Sequence, residues 1–376
     1  MNTLCLVTCV AEKRRDASPA RNLYQSPLFS KARRFAEDRY DSWFILSARH
    51  GLVHPDDVLA PYDQSLLDST DGERRTWAVR VFEQLSRQTN ADDRVAILAG
   101  KPYRKHLVPL LLERGHQVTI PMEGLRLGEQ LAWLKEATER RTIGRDVDRF
   151  YQLLELLRER LSGMRRLSEC TGRSDWPERG VYFFFDPREY RTTDPRQPRV
   201  VRVGTHAVSR GSKSMLWNRL YSHRGTVSGG GNHRASIFRL HVGAAMIRRS
   251  DGALEVRSWG EGQSASRGVR AGEKELEELV SRYVGQLPFL WLSVLDEPGT
   301  QSDRSYLEKN AVGLLSGSGA GKPFETPTVS WLGRFSAKPQ VRDSGLWNID
   351  HVGKGYDPRF LDVLADYIRR PDSDRP

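Results

Sequence analysis

Apolar runs at residues 4–10, 43–47, 95–99 and 116–120 alternate with amphipathic stretches at 28–38, 71–87 and 103–114 over the first third of the chain. The short runs predict strands and the helix-spaced stretches predict helices. Strands alternating with helices predict a three-layer α/β sheet domain of the parallel type over residues 1–140. Ligands of such sheets sit beyond the carboxyl ends of the strands, so the loops after Val7, Leu46 and Leu98 are where chemistry is expected.

Between 146 and 165 the residues Phe150, Leu153, Leu154, Leu157 and Leu161 recur at helical spacing among charges, which predicts a connecting helix. With the polar segment that follows, containing Gly172 and Pro177, it forms an expected connector over 141–177. The second domain, 178–370, opens with an aromatic-rich strand at 180–185 and a second strand at 200–204, a hairpin with a long loop. A helix at 213–223, a glycine-rich loop at 228–232 and an apolar segment at 236–242 follow. Then come a helix at 273–283, a strand at 289–295, a helix at 302–315 with a good start signal, and an arginine-rich tail expected to fray after Asp366.

Composition adds charge to this picture. At 376 residues the chain is long for one core and comfortable for two. Lysine and arginine outnumber aspartate and glutamate by 59 to 48, a net charge of +11, which suits a polyanionic partner. The three cysteines, Cys5, Cys9 and Cys170, are odd in number and lack zinc-site spacing. No apolar run approaches the length that crosses a bilayer, so a soluble, reduced, cytoplasmic protein without a membrane partner is expected. Nothing in the pattern sets the oligomeric state.

In the second half, Gly180-Val181-Tyr182, then Val203-Gly204, then Arg219 and His223 one turn apart, then Glu308 on a later helix, stand in an order that resembles the GIY-YIG nuclease superfamily over roughly 178–355. The resemblance implies a GIY-YIG-like mixed sheet with flanking helices, and a metal-dependent endonuclease acting on DNA with Mg2+ or Mn2+. It assigns Glu308 to the metal, a hard oxygen ligand, and Arg219 to the phosphate. His223 orients or deprotonates the attacking water, and Tyr182 hydrogen-bonds the nucleophile or helps carry its proton. Four-residue spacing puts Arg219 and His223 on one helix face, where both are expected to reach one phosphate. Taken alone, such a pair on a helix is an ordinary solvated surface, and the joint order on the expected elements is what carries the reading.

The chain departs from the family where Arg202-Val203-Gly204 stands in place of the tyrosine-bearing element. The general base is thereby left open between His206 and His223, as is a binding-only domain. The family's late asparagine has two candidates, Asn310 and Asn348, and position after the final helix favours Asn348. Arg202, His206, Lys213, Arg224, His233, Arg234 and Asn348 are expected nucleic-acid contacts, with Arg210 and Arg239 in the same basic stretch beside Trp217. Backbone amides of Gly229, Gly230 and Gly231 are expected near phosphates.

In the first half, Val7-Thr8-Cys9, Lys13, Tyr24-Gln25-Ser26-Pro27-Leu28-Phe29, Leu46-Ser47-Ala48-Arg49-His50-Gly51-Leu52, Pro61-Tyr62-Asp63 and Ala99-Gly100 with Tyr103 resemble a family of uncharacterised bacterial domains over about 1–136. More distantly the segment is similar to the core of archaeosine synthase, whose fold is related to uracil-DNA glycosylases. Thr8, Lys13, Tyr24, Ser26, Ser47, His50 and Tyr62 are the expected base pocket, with Tyr24 or Tyr62 stacking on a base. Asp63 is the expected catalytic carboxylate for breaking an N-glycosidic bond, a chemistry that needs the base out of its stack.

Joined, the two halves predict a DNA-processing enzyme. The first recognises or excises a modified base and the second cuts the strand, as a phage-defence restriction factor acting on phage DNA with modified bases would. Two other classes stay open, a non-catalytic DNA-binding module with a degenerate nuclease domain and an RNA base-modifying enzyme.

Overall fold

In the computed structural model, which describes residues 2–174, 176–317 and 323–370, the chain divides into two compact units, Met1–Glu139 and Arg140–Pro376.

The first unit is built on a five-stranded sheet. Its strands are β1 (Thr3–Thr8), β2 (Ser42–Ser47), β3 (Gly51–Val53), β4 (Arg94–Leu98) and β5 (Gln117–Thr119), in the spatial order β3-β2-β1-β4-β5. Pairing is parallel for β1 with β2, β1 with β4 and β4 with β5, and antiparallel only for the hairpin β2–β3. The central strand is buried on both faces, which is why Leu4-Cys5-Leu6-Val7 is a continuous apolar run without alternation. Helix α1 (Pro27–Arg39) carries the chain from β1 to β2, and α2 (Asp71–Ser86) carries it back across β1 to β4. Because such crossovers are right-handed, the two helices cover opposite faces.

Both helices start where their sequences dictate. Ser26 caps α1, its hydroxyl accepting from the Phe29 amide at 3.0 Å ahead of Pro27 at the first position. Thr70 and Glu73 close a reciprocal capping box on α2. The expected helix at 103–114 is two helices, Lys101–Arg104 and α3 (Leu107–Arg114).

The division between the units falls inside the 34-residue helix α4 (Leu127–Arg160). The expected connector at 141–177 is the second half of this helix and the segment that follows it. Val147, Phe150, Leu153, Leu154 and Leu157 belong to the hydrophobic core of the second unit, because their stripe is wide enough to cover a sheet rather than to span a gap. The second sheet has the order β8-β7-β9-β6, from β6 (Arg165–Arg166), β7 (Gly180–Tyr190), β8 (Pro198–Gly204) and β9 (Pro288–Ser293), with every pairing antiparallel.

Alternation along β7 feeds two cores. Val181, Phe183 and Phe185 pack with α4, with α8 (Asp303–Leu315) and with α9 (Phe360–Arg369). Tyr182 and Phe184 pack, with Phe289 and Trp291 of β9, against α5 (Leu216–Arg224), α6 (Ile237–Arg249) and α7 (Arg267–Gln286). The apolar segment at 236–242 is thus the start of a 13-residue helix. The fraying expected after Asp366 is absent as far as Arg369, since Tyr367 and Ile368 are packed. Residues 371–376 lie outside the described residues. No helix among the described residues is long and apolar enough to cross a membrane.

Candidate active site

Two glycines of the motif are fixed by close approach. A Cβ on Gly180 would meet the Leu292 carbonyl oxygen at 2.3 Å, and a Cβ on Gly204 would meet the Tyr182 hydroxyl at 2.3 Å. Tyr182 pairs with Gly204 across β7 and β8, so its ring crosses the one residue on β8 that leaves room.

From there a buried polar chain leads into the unit. Tyr182 Oη is 2.8 Å from His223 Nε2, and His223 Nδ1 is 2.7 Å from Ser236 Oγ. Ser236 is also the cap of α6, its hydroxyl accepting from the Arg239 amide. His223 is fully buried, and burial, then Arg219, Arg202 and Arg239, hold its pKa well below the ordinary histidine value. The expectation that His223 shares a phosphate with Arg219 is therefore corrected. Both ring nitrogens are occupied inside the protein, and a neutral imidazole reaches the site only through the Tyr182 hydroxyl.

Arg219 behaves in the opposite way. It is half-buried, and its guanidinium makes no hydrogen bond or ion pair among the described residues. Glu308 on α8 is half-buried too, and accepts a backbone hydrogen bond from Thr205, which directly follows β8. Burial pushes its carboxyl up to about 7, opposed by Arg202 and Arg219 and reinforced by Asp350. Arg202, which stands where the family has its second tyrosine, is 6 % exposed and points inward. It donates to the Trp347 carbonyl at 2.8 Å, lies 4.8 Å from the Phe238 ring centroid, and is in hydrogen-bonding contact with Tyr182. Burial is the main influence on its charge, with Tyr182, Arg219 and Glu308 next. Arg202 is thus part of the cluster, and its expected role as a DNA surface contact is corrected.

Several other expected contacts are also structural. His206 is buried, its Nε2 is 3.2 Å from the Glu178 carbonyl, and burial drops its pKa to about 4. Asn348 pairs with the backbone of Val203 through both ends of its amide, at 2.8 and 3.1 Å, and so completes the edge of β8. Asn310 is occupied by the Tyr306 carbonyl and the Asp357 amide. His233 is buried, stacked 3.9 Å from the Trp259 ring and 3.0 Å from Glu277. Arg234 grips Glu273 with two bonds of 2.7 and 2.8 Å. Arg239, fully buried, is held by Glu277 and Ser281. The glycine-rich loop is shaped by that arginine, since a Cβ on Gly231 would fall 2.0 Å from its guanidinium.

What remains for a polyanion is Arg219, the half-buried Arg224, and Arg210 and Lys213, which are exposed beside Arg179 in an open groove of about 690 Å³.

In the first unit, Thr8, Lys13 and Asp63 line one cavity. Tyr24 and Tyr62 are buried, joined hydroxyl to hydroxyl at 2.8 Å, and Tyr62 reaches Ser47 at 2.8 Å. Their expected stacking on a base is corrected, because the packed rings present no free face. His50 lies edge-on to Tyr62 at 5.2 Å, and Ser26 is spent as the α1 cap.

Residues 4–136 match a family of unknown function (DUF6884), and residues 141–374 match the family described as GIY-YIG domain. The chain is 29 % identical over 153 residues to the uncharacterized protein YfjM of Bacillus subtilis (strain 168), a match covering 37 % of this chain and 97 % of that protein. No solved structure matches the chain. The second match begins inside α4 and takes in all of β7, β8 and α8, and with them Tyr182, Gly204, Arg219, His223 and Glu308. The chain belongs to the GIY-YIG domain family.

Proposed function

We propose that the second unit is an endonuclease that hydrolyses phosphodiester bonds of DNA, using Mg2+ or Mn2+ held by Glu308. The observation that carries this reading is the half-buried guanidinium of Arg219, which makes no hydrogen bond or ion pair among the described residues, in the cluster that holds Glu308 and the Tyr182–His223 pair. An arginine fork matches phosphate oxygens, and a half-buried one whose donors are unused favours an anion.

The donor set fits one hard cation. Among the described residues no group of three or more His, Cys, Asp or Glu side chains is placed to hold a metal, so the chain offers the Glu308 carboxylate and leaves other positions to phosphate oxygens and water. Burial raises this carboxyl to about 7 against the pull of Arg202 and Arg219, which leaves a partly desolvated carboxylate that a cation would stabilise. A divalent ion held there by Glu308 would supply positive charge and stabilise the oxyanions that develop at phosphorus.

The protein's own groups supply the rest. Arg219 binds and orients the phosphate, and Arg202 adds positive potential from beneath. The Tyr182 hydroxyl accepts a proton from the attacking water while passing its own to His223 Nε2, which requires the tautomer with its proton on Nδ1 facing Ser236 and a bound phosphate to offset the arginine charge that otherwise keeps this imidazole neutral. Water oxygen bonds to phosphorus, one ester P–O bond breaks, the leaving alkoxide takes up a proton from solvent water, and His223 returns its proton through Tyr182 to the hydroxide so formed. Arg210 and Lys213 hold the flanking backbone, in a groove that Glu178 and Glu297 also line.

Supercoiled plasmid incubated with the protein and Mg2+ is expected to be nicked. Arg219→Ala and Glu308→Ala should each lower the rate by about 10²–10³-fold. Plasmid left intact by the wild type, with DNA still bound, would instead make the domain a binding module.

A further inference from the structure

The first unit has a cavity of about 350 Å³ at the carboxyl ends of β1 and β4. The chain leaves β1 toward β2 on one side and returns to β4 on the other, so the loops after these two strands diverge and open a crevice. Ligand sites of open α/β sheets lie at such switch points.

Most of the cavity wall is apolar, from Val7, Leu28, Phe29, Ile97, Leu98 and Met122, with Thr8, Gln64, Ser65 and Gln130 also at its surface. Two charged groups face it uncompensated. Lys13 is half-buried, donates to the Ala11 carbonyl at 3.1 Å, and sits 4.4 Å from the Tyr62 ring centroid. It pairs with no carboxylate among the described residues. Asp63, exposed at the mouth, makes no hydrogen bond or ion pair among them either.

Lys13 is also held in place. Its backbone bridges Tyr24, the neighbouring Arg14 amide donates to Leu23, and the ring beneath its ammonium is anchored through the Tyr24–Tyr62–Ser47 hydroxyl chain. A pinned, half-desolvated ammonium without a counterion stabilises an anion. An apolar slot beside it takes a flat body, and a free carboxylate at the rim takes an N–H or O–H donor. The volume lies at the small end of the roughly 300–1,000 Å³ range of ligand sites, enough for one nucleotide and not for two.

We propose that this cavity binds a single nucleotide, with the base between the apolar walls, the phosphate on Lys13, and a base N–H or sugar hydroxyl donated to Asp63. The nucleotide has two sources, a free mononucleotide or one unit turned out of a DNA strand. The site is separate from the phosphodiester chemistry of the second unit and does not depend on it.

The test is calorimetric titration of the full chain carrying Arg219→Ala and Glu308→Ala, which silences the other candidate phosphate site. The four deoxynucleoside monophosphates, their nucleosides, inorganic phosphate, and a short duplex with one mismatched base are the probes. At least one monophosphate should bind at one per chain. Lys13→Met should weaken it tenfold or more while leaving the weaker nucleoside binding unchanged, and Asp63→Asn, at an exposed position, should weaken both. Tighter binding of the free monophosphate assigns the site to nucleotides in solution. Tighter binding of the mismatched duplex, sensitive to Lys13→Met, assigns it to a turned-out base. No binding of either probe at millimolar concentration, binding unchanged in both variants, or inorganic phosphate competing while nucleosides stay inert would overturn the proposal.

Discussion

Removing the Tyr182 hydroxyl tests the proton path and the packing together. In Tyr182→Phe the ring still crosses Gly204, but His223 Nε2 loses its 2.8 Å partner inside a core where both residues are fully buried. An unsatisfied buried nitrogen costs about 1–3 kcal/mol. For a unit of this size that lowers the melting temperature by roughly 2–4 °C per kcal/mol. His223→Phe strips partners from both Tyr182 and Ser236 and should cost more. The double variant should cost less than the two single costs added, by about 0.5–3 kcal/mol, since the second change removes a group already orphaned. Cleavage should respond on a different scale, because losing proton transfer costs about 10²–10⁴-fold in rate. Urea unfolding of the four proteins gives the coupling, and plasmid nicking at a fixed Mg2+ concentration gives the rates. If Tyr182→Phe is destabilised as expected yet nicks at the wild-type rate, the hydroxyl is a packing group and the proton takes another route. Additive stabilities would mean the hydrogen bond does not couple the two residues.

Two more outcomes follow from the same structure. His206 and His241 are buried with pKa values dropped to about 4 from an unfolded value of 6.5, mainly by burial. Below pH 6.5 the unfolded chain binds protons the folded one refuses, so stability is full above 6.5 and falls toward pH 4 by roughly 3 kcal/mol per histidine. Urea midpoints from pH 7.5 to 4.5 should show this, and His241→Gln should flatten the slope. Arg210→Ala with Lys213→Ala should weaken DNA binding and reduce its salt dependence by about one counterion per charge removed, with no change in melting temperature, read by titrations at several salt concentrations.

Much of the architecture was legible because its causes are local. Apolar runs marked β1, β2 and β4, and helical spacing from 71 to 87 marked α2. Gly180 and Gly204 were legible as motif, and the structure supplies the reason, backbone and ring approaches too close for a Cβ. The misread residues depend on partners far along the chain. Arg239 is 38 residues from Glu277, and Arg234 is 39 from Glu273, so basic residues beside glycines looked like a DNA-facing surface while their carboxylates sat unseen on α7. Arg202 misled for a related reason, since an arginine at a strand end gives no local sign that Tyr182, Phe238 and Trp347 enclose it. Helix α6 escaped because it is buried around much of its circumference, so its apolar positions show no single stripe.

The central claim is that Arg219, Glu308 and the Tyr182–His223 pair serve one phosphate and one divalent cation. Anomalous diffraction from crystals of the protein grown with Mn2+ and a non-hydrolysable DNA duplex addresses it directly. A manganese peak is expected roughly 2.1 Å from a Glu308 carboxylate oxygen, next to a phosphate that the Arg219 guanidinium holds. Manganese bound elsewhere, or a phosphate seated away from Arg219, in a protein that still cuts DNA would contradict it.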